Sequence, residues 1–280
     1  KGIARREKRQ LRTKKKQDFW PDNSSNSDLE VAQTLTNEQL ESIKLFDSLV
    51  GGSALLLWGI TGSGKTEVYL QIAAKELDQG RNCLILAPEI GLIPQLVDRF
   101  SKRFGTQVLE YHSGCSERER VMTWRKALTA PKPFVLVGTR SAVFLPLSPL
   151  GLIVLDEEHD SSYKQESPMP CYHAKEIALT RAKTTGAKVI LGSATPSLST
   201  WKNLSPNGSI FMAKLTRRIS NKPLPKVRVV DMRQELAAGN RKLISRTLMD
   251  LLSGLPEAGE QAVVLVPRRG YSSFLSCRSC

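Results

Sequence analysis

From residue 53 onward the chain alternates short apolar runs with stretches whose apolar positions recur every three or four residues. The runs fall at residues 54–58, 83–87, 108–111, 134–137, 152–155 and 188–191. Several are continuously hydrophobic, the pattern of parallel strands covered on both faces. Helical stretches lie between them. Ahead of the first run, Thr36-Asn37-Glu38-Gln39 opens an amphipathic helix with Leu40, Ile43, Leu45, Phe46 and Leu49 at helical spacing. Gly51-Gly52 ends it. Residues 206–260 are less regular. Ser205-Pro206-Asn207-Gly208 reads as a turn, 243–252 as a helix, and 261–266 as a strand that starts a second α/β unit. Residues 1–35 join a basic stretch to an Asn-, Ser- and Asp-rich linker. No internal repeat is visible.

The link between the first strand and the helix after it carries chemistry. Residues 59–66 read Gly-Ile-Thr-Gly-Ser-Gly-Lys-Thr, a complete G-x-x-x-x-G-K-[ST] run. Strand, glycine loop and helix is the setting that makes this pattern a phosphate cradle. Backbone N–H groups of Gly59, Ile60, Thr61, Gly62, Ser63 and Gly64, with the helix N-terminus, face phosphate oxygens. Lys65 reaches the β- and γ-phosphates, and the Thr66 hydroxyl ligates Mg²⁺. The fold expectation is therefore an α/β, RecA-like P-loop domain with a parallel sheet over residues 36–205. Residues 206–280 are expected to hold a connector and the start of a second α/β unit.

A second apolar strand runs into Asp156-Glu157-Glu158-His159. Acids at the C-terminal end of a strand lie where an open α/β sheet places its site. Asp156 is the expected second Mg²⁺ ligand. Glu157 is the expected group that orients and deprotonates water.

Composition narrows the class. The 280 residues are 40% hydrophobic and carry a formal charge of +14. No apolar run approaches the roughly 20 residues of a membrane span. Nine Lys/Arg face two acids in residues 1–20, a run that attracts polyanions or serves as a solvated tail. Five cysteines, an odd number, argue against a disulfide framework and for a reducing, cytoplasmic setting. Cys277-x-x-Cys280 has metal-knuckle spacing, but two thiolates are half of a tetrahedral zinc site. His112 and Cys115 also have ligand-like spacing and read as a loop.

Asp156-Glu157-Glu158-His159 resembles the D-E-x-H box of superfamily 2 helicases. Gly192-Ser193-Ala194-Thr195 resembles their S-A-T motif, which implies that Ser193, Ala194 and Thr195 couple hydrolysis to strand movement. Gly138-Thr139-Arg140-Ser141 and Pro88-Glu89-Ile90-Gly91-Leu92 resemble motifs Ib and Ia. Gln39 resembles the glutamine that reads adenine. The runs at 61–69, 88–92, 138–144, 156–165, 192–198 and 268–271 are similar to the primosomal replication-restart DNA helicases.

That resemblance implies ATP and Mg²⁺ as cofactors, zinc in the intact protein, and 3′-to-5′ movement on single-stranded or forked DNA. It implies primosome and other replication-restart proteins, and single-stranded DNA-binding protein, as partners, and no membrane. Thr139 and Arg140 are the implied phosphate contacts. Tyr163, Tyr172 and His173, in an aromatic-rich loop, are the implied base contacts. Residues 1–35 match the end of a winged-helix domain only weakly. Two further readings stay open. One is a truncated fragment that binds ATP and DNA with little turnover because later helicase motifs are missing. The other is a helicase-like ATPase acting on RNA.

Overall fold

The structure, a computed structural model, describes residues 33–204, 208–219, 223 and 226–265. The basic stretch, most of the turn at 205–208, the 268–271 run, Cys277 and Cys280 lie outside them. The chain divides into two compact units, residues 1–222 and 223–280.

The first unit opens with α1 (Asn37–Ser48), whose Thr36 and Gln39 form a reciprocal capping box. Then follow β1 (Ala54–Gly59), α2 (Lys65–Asp78), β2 (Asn82–Leu86), α3 (Ile93–Phe104), β3 (Val108–Tyr111), α4 (Glu117–Thr129), β4 (Val135–Gly138) and β5 (Leu150–Leu155). A hairpin of β6 (Lys164–Gln165) and β7 (Tyr172–His173) leads into α5 (Ala174–Thr185), β8 (Lys188–Ser193), α6 (Leu198–Lys202) and β9 (Ile210–Leu215). Seven strands form one sheet in the order β3-β4-β2-β5-β8-β1-β9. Every pairing in it is parallel. All strand ends therefore deliver their loops to one edge, where open parallel sheets bind ligands.

Alternation along the strands splits the core into two layers. Leu55, Leu57, Ile85 and Val154 meet Phe46, Val68, Ile72 and Phe100 on one face. Leu56, Leu84, Ile153 and Leu155 meet Ala174, Ala178 and Ala182 on the other. The three alanines form one stripe of α5, so that helix can approach the sheet closely. Each fully buried Leu, Val or Phe contributes about 1.5–3 kcal/mol, which favours the continuous runs read from the sequence.

The expected α/β fold is present, with two differences at its margins. The sheet continues past residue 205, because β9 pairs along the whole of β1. As an edge strand with exposed Lys214, it lacks the unbroken apolar signature. The expected strand at 261–266 is absent at its described residues, 261–265, which are exposed and without regular structure. The second unit contains α7 (Met232–Ala237) and α8 (Arg246–Ala258). The helix expected at 243–252 starts later because Ser245 caps it, accepting from the Leu248 N–H.

Candidate active site

The phosphate loop leaves β1 at Gly59. Gly62 and Gly64 sit at φ of 81° and 83°, the left-handed region that a Cβ disfavours. Gly64 precedes α2 and offers no side-chain cap, so the first N–H groups of that helix face outward as anion donors. The loop's carbonyls are held by the protein. Gln39 Nε2 donates to Ser63 O at 3.2 Å and Gly64 O at 3.3 Å, and the Ile219 N–H donates to Gly62 O at 3.1 Å. Lys65 Nζ donates to Gly59 O at 2.9 Å and stands 3.9 Å from Glu157 Oε1. Residues 60–66 line a cleft of about 520 Å³ with Asp156, Glu157, Gln95, Arg99 and Ile219. The phosphate loop and the two acids thus converge as expected. Gln95 and Arg99, on α3, were not legible as cleft residues, because helical spacing does not say which neighbour a face meets.

Gln39, in the first turn of α1, lies against the phosphate loop. It is 2% exposed, and its Oε1 accepts from the Thr36 N–H at 2.9 Å. Both ends of its amide are committed to the capping box and the loop.

Asp156 follows β5, and its Oδ1 accepts from the Tyr69 hydroxyl at 3.0 Å. Burial, and then the neighbouring Glu157 charge, raise its carboxyl above the ordinary value, against the Tyr69 hydrogen bond and Lys65. A partly buried carboxylate and a threonine hydroxyl lining one cleft are an all-oxygen donor set, which suits Mg²⁺. Thr66 and Asp156 fit that ion. Tyr69 is fully buried, and its burial and Asp156 keep the phenol protonated as a donor. The hydroxyl occupies the space beside Gly192, where any side chain would collide with it. Glu157 holds φ at 47°, a left-handed backbone that is unusual outside glycine. Such a conformation costs on the order of 1–3 kcal/mol and persists where the surroundings enforce it.

His159 ties this acidic turn to the S-A-T segment. Its Nδ1 lies 2.8 Å from Ser193 Oγ and 3.7 Å from Glu157 Oε2. Ser193 Oγ also accepts from the Thr195 N–H at 3.0 Å. Trp58, one residue before the loop, donates from Nε1 to Ala194 O at 3.0 Å. Ser193, Ala194 and Thr195 therefore all contact strands or turns of the site.

Glu158 escaped the sequence reading. It is 1% exposed, and Lys175 beside it is 5% exposed. Lys175 Nζ donates to Glu158 Oε2 at 3.0 Å, and to hydroxyls of Ser197, Ser199 and Thr200 at 3.0–3.1 Å. Glu158 accepts further bonds from the Ser197 N–H at 2.7 Å and Thr200 Oγ1 at 2.9 Å. This buried pair joins the acidic turn, the start of α5 and the start of α6.

The expected nucleic-acid contacts separate. Tyr163 is fully buried, with its hydroxyl 2.7 Å from Asp156 O and 2.9 Å from Leu86 O. A base cannot stack on it, so that expectation is corrected: its ring belongs to the core. Tyr172 is half-buried, edge-on to Phe144, with the Arg140 guanidinium 5.9 Å from its ring centre. His173 caps α5, its Nδ1 accepting from the Lys175 N–H at 3.2 Å. Burial, and then Lys175, lower its pKa and favour the neutral ring that this bond requires. Arg140 donates to Ser162 O at 3.1 Å and Lys164 O at 2.7 Å, which fastens the hairpin loop to the strand edge. Thr139 precedes it at the end of β4, half-buried. His112 and Cys115 cluster with Glu110. The Gly114 N–H donates to His112 Nδ1 at 3.1 Å within the loop after β3.

Comparison with known proteins follows the same lines. A family model described as DEAD/DEAH box helicase matches residues 36–204. Over 252 residues the chain is 48% identical to Replication restart protein PriA of Synechocystis sp., covering 89% of this chain and 30% of that protein. Over 225 residues it is 48% identical to the protein of the same name from Bacillus subtilis, covering 80% and 28%. The chain spans about a third of the length of the curated relatives it matches. The solved structure of RecG bound to a three-way DNA junction is 18% identical, with a TM-score of 0.48, covering 81% of this chain and 32% of that one.

Proposed function

Since the chain belongs to the DEAD/DEAH box helicase family, we propose that it is the ATP-binding lobe of a 3′-to-5′ DNA helicase acting in replication restart. The observation that carries this reading is the single cleft in which Lys65 and Thr66 meet Asp156 and Glu157. Lys65 exchanges its Gly59 carbonyl for the β- and γ-phosphate oxygens. Backbone N–H groups of residues 60–66 orient the phosphates. Thr66 and Asp156 would hold Mg²⁺, which would supply charge neutralisation at the phosphate oxygens. Glu157 takes the proton of the attacking water at its carboxylate.

Coupling to the strand runs through contacts on the same edge. His159 touches Ser193 and Thr195, so a change in the acidic turn reaches the S-A-T segment. Thr139 and Arg140 meet strand phosphates, and Tyr172 with its hairpin meets bases. The similarity to replication-restart proteins supports single-stranded or forked DNA as substrate, with primosome proteins and single-stranded DNA-binding protein as partners and the cytoplasm as location. No helix among the described residues is long and apolar enough to cross a membrane.

Steady-state ATP hydrolysis separates DNA from RNA as the track. Single-stranded DNA is expected to raise the rate by about tenfold or more, within the usual range of site-to-site coupling. Homopolymeric RNA of equal length is expected to leave it near the basal rate. Equal stimulation by RNA would favour the RNA reading. Intact ATP binding with no turnover under either condition would favour a binding role for the chain by itself.

A further inference from the structure

Thr66 and Tyr69 stand three positions apart on α2, so both side chains leave the same side of the helix. Thr66 lines the cleft. Tyr69 is fully buried and belongs to the core layer of Leu57, Ile85 and Val154. Its hydroxyl is the one polar atom of that ring, and it donates to Asp156 Oδ1 at 3.0 Å. Asp156 also lines the cleft. The phenol therefore fixes one carboxylate oxygen and leaves Oδ2 as the oxygen it does not engage. Strands β5 and β8 pair with Leu155 opposite Leu191, which brings Gly192 alongside Asp156. A Cβ on Gly192 would overlap the Tyr69 hydroxyl and stand 3.3 Å from Asp156 Oδ1. The hydroxyl thus fills a space that β8 leaves empty by carrying glycine, and α2, the end of β5 and β8 meet at one hydrogen bond.

We infer that Tyr69 is the positioning residue of the Mg²⁺ site, its hydroxyl holding the Asp156 carboxylate at a fixed orientation and distance from Thr66 on the same helix. The inference deepens the ATP-site reading and rests on Thr66 and Asp156 as the protein groups that hold the ion. The terminal torsion of an aspartate is broad, so its backbone alone does not aim the carboxylate. A directional bond from a rigid, buried donor does. Mg²⁺ demands near-octahedral geometry at short oxygen distances, which makes it sensitive to a misplaced carboxylate. Carboxylates that hold metals are in turn held by hydrogen bonds of their own. Packing does not account for the hydroxyl, because a phenylalanine ring would fill the core equally well. Burying the O–H is tolerated because Asp156 accepts from it.

Equilibrium binding of ATP to the 280-residue chain, once with Mg²⁺ and once with excess EDTA, tests this assignment. The ratio of the two affinities isolates what the ion adds. Tyr69→Phe keeps the ring and removes the hydroxyl. It is expected to cut that ratio about tenfold, the lower end of the usual cost of losing a ligand's hydrogen-bond partner. Its affinity in EDTA is expected to stay within about twofold of the unsubstituted chain, which also reports an intact phosphate loop. A merely structural hydroxyl would change both affinities together or neither, so an unchanged ratio in Tyr69→Phe would overturn the assignment. Asp156→Ala separates the two levels. Loss of the Mg²⁺-dependent gain there, with an unchanged ratio in Tyr69→Phe, would remove the role of Tyr69 alone. An unaltered ratio in Asp156→Ala would remove the metal site and its positioning together.

Discussion

Replacing Lys175 with alanine is expected to lower the stability of the chain by about 3–5 kcal/mol, the scale of stranding a buried charge. The reason is geometric. Lys175 and Glu158 have side chains 6% and 0% exposed, and their 3.0 Å contact is the carboxylate's bond to a cation. Without Lys175, Glu158 keeps the Ser197 N–H and the Ser197 and Thr200 hydroxyls but remains a buried anion. Urea denaturation at neutral pH measures the loss. The double variant Glu158→Gln, Lys175→Met, which removes both charges, is expected to recover most of it. A loss below about 1 kcal/mol in Lys175→Ala would place the pair among surface-like ion pairs and contradict the account.

The same pair sets an acid limb of stability. Burial raises the Glu158 carboxyl, but the Ser197 N–H and Lys175 outweigh it and hold the group below its ordinary value. A carboxyl depressed in the folded state contributes stability above its unfolded pKa. That contribution is lost as pH falls through the folded pKa.

Glu157→Gln is expected to slow ATP hydrolysis by about 10²–10⁴-fold, the usual contribution of a positioned general base. Nucleotide binding is expected to persist. The amide keeps the shape of the side chain, and the loop that holds the phosphates is untouched. Glu157 stands 3.9 Å from Lys65, so removing its charge releases a competitor for that ammonium, and ATP affinity stays equal or rises. Single-turnover hydrolysis at saturating ATP, paired with equilibrium binding, checks both halves. Retention of more than about half the rate would show that Glu157 is not the base, because loss of a base costs at least about a hundredfold.

The outcome of sequence reading follows what each residue buries. β1, β2, β4, β5 and β8 were legible because both faces of the sheet are covered there, which leaves largely unbroken apolar runs, whereas the edge strand β3 was read from its apolar residues on either side of the exposed Glu110. At the sheet edge β9 carries Lys214 against Trp58, and that single cation broke the pattern. The phosphate loop was legible because its glycines and Lys65 occur at spacings fixed by backbone geometry. Lys175 was not, since a lysine on a helix ordinarily faces water. Only the fold brings α5 against Glu158, 17 residues away in sequence. Tyr163 was misread for a related reason. An aromatic beside polar loop residues looks available for stacking, yet its hydroxyl is placed to satisfy the buried carbonyls of Leu86 and Asp156. Gln39 was legible as part of a helix cap with Thr36, but not as the residue that fixes the loop's carbonyls.

The central claim is that residues 59–66 and the Asp156–Glu157 pair form one ATP site. Calorimetric titration of Mg²⁺·ATP into the unsubstituted chain and into Lys65→Ala tests it most directly. The account predicts saturable, one-to-one binding by the unsubstituted chain. Lys65→Ala is expected to weaken it by about a hundredfold or more, the loss of a charge-assisted contact to the phosphates. Equal affinity in the two proteins would contradict it.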